Sequence, residues 1–117
     1  MKKIYHLSTC STCKRILSEL KPGADVVLQD IKSETLTETQ VDEMAKLAGS
    51  YEAIFSRIAM KYRALGLDKI ELNDEQRKYY ILSEYTFLRR PVIICNDKIF
   101  IGNSRKVIED AKDYLRG

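Results

Sequence analysis

Apolar and polar positions along the chain change period several times, and each change marks an element. Residues 2–7, "KKIYHL", are short and rich in strand formers, and the "STCST" behind them offers hydroxyls suited to a helix cap. Ile16, Leu17 and Leu20 then make one apolar helical face, which "KPG" at 21–23 ends. "DVVLQDI", residues 25–31, reads as a second strand, so the chain opens β-α-β, and the crossover of about 20 residues suits a parallel pair. Residues 34–87 keep a helical period with no strand predicted. Thr37 and Gln40 form a T-x-x-Q capping box ahead of Val41, Met44, Ala45 and Ala48, and Gly49 ends that helix. Ser50 is placed to cap the next helix, through Ile54 and Phe55, and Asn73 with Gln76 opens a third through "EQRKYYILSE". Strand chemistry returns in "RPVIIC" and "KIFIG", which flank Asn96-Asp97 as the arms of an antiparallel hairpin. Ser104 then caps a last helix with Val107, Ile108, Ala111 and Leu115 on one face.

The order β-α-β, helical block, β-β-α contains no internal repeat, linker or low-complexity tract. It resembles an α/β thioredoxin-like fold, one domain over residues 1–117, with a helical insertion at about 34–87 between its two halves. Such a fold keeps its reactive thiol after the first strand, where this chain has C-x-x-C. It also implies a cis proline beside that thiol, and Pro91 stands at the head of a strand, where proline is tolerated.

Composition narrows the classes. A chain of 117 residues suits one core and needs no disulfide staples. With 44% hydrophobic and 32% charged residues it reads as globular and soluble. A net charge of +3, from 20 basic and 17 acidic residues, gives no argument for direct nucleic-acid binding. No apolar run reaches membrane-spanning length, and "MKKIYHLSTC" lacks the apolar segment of a signal peptide. Three cysteines, an odd number, point to a reducing compartment, so a cytoplasmic location is expected.

The pair Cys10 and Cys13 admits three readings. If a helix starts near Ser11 or Thr12, Cys10 lies at its N-terminus, where unpaired amides and the helix dipole stabilise a thiolate. Cys13, one turn on, is then placed to attack a mixed disulfide on Cys10, with Lys14 and Arg15 adding positive charge. In the second reading both thiols are inert. In the third they bind zinc, but a closed site needs four ligands and only His6 and Cys95 remain as soft candidates. His6 reads more readily as a half-buried strand histidine than as a catalytic base, and Cys95 as a small core residue.

With "YHLSTCSTCKRIL", "YRALGL" and "LRRPVII" in view, the sequence resembles the arsenate reductase (ArsC-type) family of the thioredoxin superfamily, and "IGNSRKVIEDAKDYL" is similar to that family's last strand and helix. The resemblance covers nearly the whole chain. It implies Cys10 as the nucleophile, with the backbone of Ser11 and Thr12 cradling an oxyanion and Arg90 neutralising its charge. His6 and Pro91 support that loop. Arg57 matches the insertion's arginine when counted forward from Gly49, whereas counting back from "YRALGL" puts Ile58 there. Two positions depart from the arsenate reductases: Asn103 stands where they place a third arginine, and Cys13 adds a thiol many of them lack. The implied activity is a cytoplasmic thiol-dependent oxidoreductase that forms a Cys10–Cys13 disulfide. It would hold no bound cofactor or metal and be regenerated by an external thiol reductant: glutathione with glutaredoxin, or thioredoxin. The family also contains the Spx redox regulators, which use C-x-x-C as a switch and bind the RNA polymerase alpha subunit. The spacing from Gly49 to Arg57 is similar to theirs, which makes an Spx-like regulator the alternative.

Overall fold

The computed structural model describes residues 1–116. In chain order the elements are β1 (Lys2–His6), α1 (Ser11–Leu20), β2 (Val26–Asp30), α2 (Glu38–Ala48), α3 (Met60–Ala64), α4 (Asp74–Ser83), β3 (Val92–Cys95), β4 (Lys98–Ile101) and α5 (Arg105–Arg116). They fall into two units, Met1–Thr35 with Arg90–Gly117, and Leu36–Arg89.

The first unit is built on a four-stranded mixed sheet in the order β2-β1-β3-β4. β1 runs parallel to β2 and antiparallel to β3, and β3 and β4 form an antiparallel pair closed by the two residues Asn96 and Asp97. Asn96 takes a left-handed conformation (φ 56°), which asparagine tolerates better than most residues. Strand residues alternate between faces. Ile4 lies in register with Ile93, and Ile93 with Phe100, so these three share one face. There Ile4 and Ile93 pack, at or near complete burial, with Ile16 and Leu20 of α1 and Ile108 and Ala111 of α5, and the half-buried Phe100 lies against them. On the opposite face Tyr5, Gln29 and Val92 are in register and buried, and the Gln29 amide donates to the Glu34 carbonyl at 3.1 Å. Lys2 Nζ donates to the Leu115 carbonyl at 2.8 Å, a cation at the C-terminal end of α5 where the helix dipole favours one. The Arg90-Pro91 peptide is cis, and Pro91 is buried immediately before β3.

In the second unit both capping boxes form. Thr37 and Gln40 exchange hydrogen bonds at the start of α2, and Asn73 and Gln76 at the start of α4. Val41, Met44 and Ala45 of α2 and Ile81 of α4 are buried, and Phe55 stacks on Phe87 with ring centroids 5.4 Å apart. Gly49 ends α2 in a left-handed conformation (φ 95°), as its position predicts.

One expectation for this segment fails. The helix expected through Ile54 and Phe55 is only a 3-10 turn, Glu52–Ile54. Ser50 Oγ does accept from the Ala53 amide at 3.1 Å, but Phe55 then turns extended and forms a β-bridge with Leu88. The Ser56 amide donates to the Phe87 carbonyl at 2.7 Å and the Arg89 amide to Ile54 at 2.9 Å, so distant pairing replaces helical hydrogen bonding. The block contains no strand, as expected, and the Phe55–Leu88 pairing is an isolated bridge. α3 was not expected at all.

Candidate active site

The loop between β1 and α1 places the two thiols. The Cys10 amide donates to the Leu7 carbonyl at 3.0 Å, and the Cys10 carbonyl accepts from the Lys14 amide at 3.0 Å, the first bond of α1. Cys10 is thus the N-cap of α1, with extended backbone (φ −92°, ψ 117°). A side chain at this position faces the amides of the second and third helical residues, here Thr12 and Cys13. The thiol closes no capping hydrogen bond. Ionised, it has several partners.

The environment of Cys10 shifts its pKa below the ordinary thiol value. Partial burial alone would raise it, but the Cys13 amide, the Cys13 thiol, the Thr12 amide and the charge of Arg90 together outweigh that desolvation. Cys13 goes the other way. It is 1% exposed, and burial is the main reason its pKa is pushed up to about 11. The Leu7 amide favours its thiolate, negative charge and hydrogen bonding at Cys10 disfavour it, and Arg90 offsets part of the rise. The pair is thus shifted in opposite directions, Cys10 down and Cys13 up. Cys95, the third free thiol, is buried in β3 and donates to the Tyr114 carbonyl at 3.4 Å, as a core residue would.

The remaining candidates are placed as follows. Ser11 is exposed at the first position of α1 and Thr12 half-buried at the second. His6 ends β1, half-buried, its carbonyl accepting from the Ile31 amide at 2.9 Å. Arg90 and Arg89, adjacent in sequence, divide their roles: the charge of Arg90 acts on both thiols, while Arg89 Nη1 donates to the Ala53 carbonyl at 3.2 Å in the second unit. Arg57 lies exposed in the second unit, paired with Glu52 at 3.6 Å. Asn103 is exposed just past Gly102 (φ 92°). Among the described residues no group of three or more His, Cys, Asp and Glu side chains is placed to hold a metal ion, and no helix is long and apolar enough to cross a membrane.

Asp30 was not anticipated. At the end of β2 its Oδ1 accepts from the Ser8 amide at 3.0 Å and the Lys32 amide at 3.3 Å, and its Oδ2 from the Ser33 hydroxyl at 3.1 Å. The amide and hydroxyl of Ser8 are the first reasons its pKa falls to about 2. The available signal was an Asp-x-x-Ser at a strand end, the pattern of a side chain that closes its own turn.

A four-stranded mixed sheet in this order, with α1 following β1 and α5 following β4, is the arrangement of the thioredoxin-like fold class. Within that class the chain belongs to the ArsC family, whose model matches residues 5–111. Its fold is similar to arsenate reductase from Vibrio cholerae, at 17% identity and TM-score 0.78, over 97% of this chain and 96% of that one. It is similar as well to an arsenate reductase related protein from Brucella melitensis, at 23% identity and TM-score 0.73, over 93% of this chain and 92% of that one. A protein from Streptococcus mutans, described as a possible arsenate reductase, shares 26% identity at TM-score 0.71, over 94% and 96% of the two chains. None of the curated proteins matches the sequence.

Proposed function

We propose that this protein is a thiol-dependent reductase in which Cys10 attacks an oxidised oxyanion and Cys13 resolves the adduct. The observation that carries the reading is the opposite displacement of the two thiols, Cys10 down and Cys13 up to about 11. Environments that push paired groups apart assign the attacking and the waiting role.

The Cys10 thiolate bonds to the oxidised centre, and a hydroxyl of the substrate leaves as water after taking up a proton. The helix-start amides of Thr12 and Cys13 and the Arg90 guanidinium lie where negative charge gathers. Once Cys10 sulfur is bonded its charge is gone, and with it two of the causes that hold the Cys13 proton. Cys13 then loses that proton and attacks the Cys10 sulfur. The disulfide forms, the bond from Cys10 to the substrate breaks, and its electron pair leaves on the product, now reduced by two electrons. An external thiol, glutathione with glutaredoxin or thioredoxin, returns the disulfide to two thiols in a reducing cytoplasm. Arsenate is the narrower case, because Asn103 brings no charge where arsenate reductases carry a further arginine. The part of Arg57 rests on the sequence resemblance alone.

The test is turnover of oxyanions, arsenate included, with each reductant. Cys10→Ser should abolish turnover, and Cys13→Ser should accumulate a Cys10 adduct visible by intact mass. Full activity in Cys10→Ser overturns the mechanism.

A redox regulator of the Spx kind is the second reading. It draws on the same thiols and on Ile58 and Met60, which are 94% and 91% exposed in the second unit, as contacts awaiting a partner would be. Binding of the RNA polymerase alpha subunit that changes between dithiol and disulfide states would favour it, and equal or absent binding would remove it.

A further inference from the structure

We infer that Asp30 is a positioning residue for Cys10, its carboxylate fixing the loop that sets the nucleophile against the start of α1. The inference rests on the reading of Cys10 as the reacting thiol. Four residues, Leu7 to Cys10, link β1 to α1, and hydrogen bonds tie this loop within the first unit. One is internal, from the Cys10 amide to the Leu7 carbonyl at 3.0 Å. Another reaches to the end of β2, where Asp30 Oδ1 holds the Ser8 amide at 3.0 Å.

The carboxylate is itself held. The Lys32 amide and the Ser33 hydroxyl fix its two oxygens, and the Ile31 amide, bonded to the His6 carbonyl at 2.9 Å, ties the end of β2 to the end of β1. An acceptor so fixed determines where Ser8 sits. Ser8 in turn follows Leu7, whose carbonyl holds the Cys10 amide and whose own amide faces the Cys13 thiol. A shift of Ser8 would be felt at both sulfurs. With its pKa near 2, Asp30 stays an ionised acceptor across the whole range in which a thiol titrates.

Removing the carboxylate takes away both a negative charge and the Ser8 anchor. Without the anchor the sulfur drifts from the Thr12 and Cys13 amides that favour its thiolate. Asp30→Asn separates them, because the amide oxygen can still accept from Ser8 while its nitrogen donates to the Ser33 hydroxyl. Asp30→Ala loses both.

The experiment measures Cys10 alkylation against pH, peptide by peptide, in wild type, Asp30→Asn and Asp30→Ala. We expect the Asn variant at or below the wild-type pKa and the Ala variant about half a unit or more above the Asn variant, roughly a threefold loss of thiolate at neutral pH. Equal pKa values in the two variants would overturn the inference. Should Asp30→Ala fail to fold, Asp30→Ser takes its place, since its hydroxyl is too short to reach Ser8, and the same comparison decides. The readout needs no substrate, so the inference can fail while the reductase reading stands, and the reverse.

Discussion

Replacing Cys13 by alanine tests the coupling of the two thiols directly. Four groups lower the Cys10 pKa against desolvation: the Cys13 amide, the Cys13 thiol, the Thr12 amide and Arg90. Cys13→Ala removes only the thiol. A hydrogen bond to a charged group is worth roughly 1.5–3 kcal/mol, and S–H is a weak donor, so a loss of about 1 kcal/mol is reasonable. At 1.36 kcal/mol per unit, the Cys10 pKa should rise by roughly half to one unit. Cys13→Ser is the control, because a hydroxyl donates better than a thiol and should keep the Cys10 pKa at or below the wild-type value. Cys13 is 1% exposed, so the alanine variant also loses packing, about 1 kcal/mol, and its fold must be checked first. The assay is the pH dependence of Cys10 alkylation under pseudo-first-order iodoacetamide, read from the Cys10 peptide so that Cys95 does not contribute. The expected order of pKa is serine variant, wild type, alanine variant. An alanine variant at or below wild type would refute the hydrogen bond from Cys13 and leave the amides and Arg90 as the whole cause.

Arg90→Gln should raise the pKa of both thiols, because the guanidinium lowers each, and Arg90→Lys should restore part of the effect; the same alkylation profiles read both. Cys13, raised to about 11 from 9.0, keeps its proton in the folded protein after the unfolded chain has lost it. Its contribution to stability is therefore intact below pH 9 and lost as pH rises to 11, a decline on the order of 2 kcal/mol that denaturant titration should detect in wild type and miss in Cys13→Ala. Thr37→Ala removes the α2 cap and should cost about 1 kcal/mol, seen as a Tm lower by several degrees with the Cys10 alkylation profile unchanged.

What could be read in the sequence was what short-range chemistry decides. A threonine three residues before a glutamine, and an asparagine three before another, each close a capping box through bonds that need no distant partner. The Asn96-Asp97 turn is of the same kind. What escaped depends on long-range pairing or on the absence of a face. Phe55 has the neighbours of a helical residue, yet its backbone is drawn straight by Leu88, which no local window contains. α3 buries none of its residues, and Met60 is 91% exposed, so it offers no apolar stripe to count. The site divides along the same line. The position of Cys10 at a helix start follows from "LSTCSTC", whereas the contrast between the thiols depends on Arg90, some 80 residues on, and on burial that spacing does not reveal.

Under the proposed mechanism, that contrast would make a C-x-x-C serve better here than two equivalent thiols. A nucleophile must be ionised to attack, but a resolving thiol ionised at the same time would set two negative charges one helical turn apart, each raising the other's pKa. The fold avoids this by burying one of the pair. The amides of the helix start are shared unequally: Cys10, at the cap, faces the Thr12 and Cys13 amides, while Cys13, inside the first turn, has only the Leu7 amide behind it. In the proposed mechanism, formation of a bond at Cys10 would remove the charge that opposes ionisation of Cys13, so the second thiol would become reactive once the first has reacted. If the order of events is set in this way, a Cys10→Ser variant should lower the Cys13 pKa from about 11 even though its burial is unchanged, because the neighbouring negative charge can no longer form. A Cys13 that stays near 11 in that variant would mean that desolvation alone holds its proton, and the sequence of the two steps would need another cause.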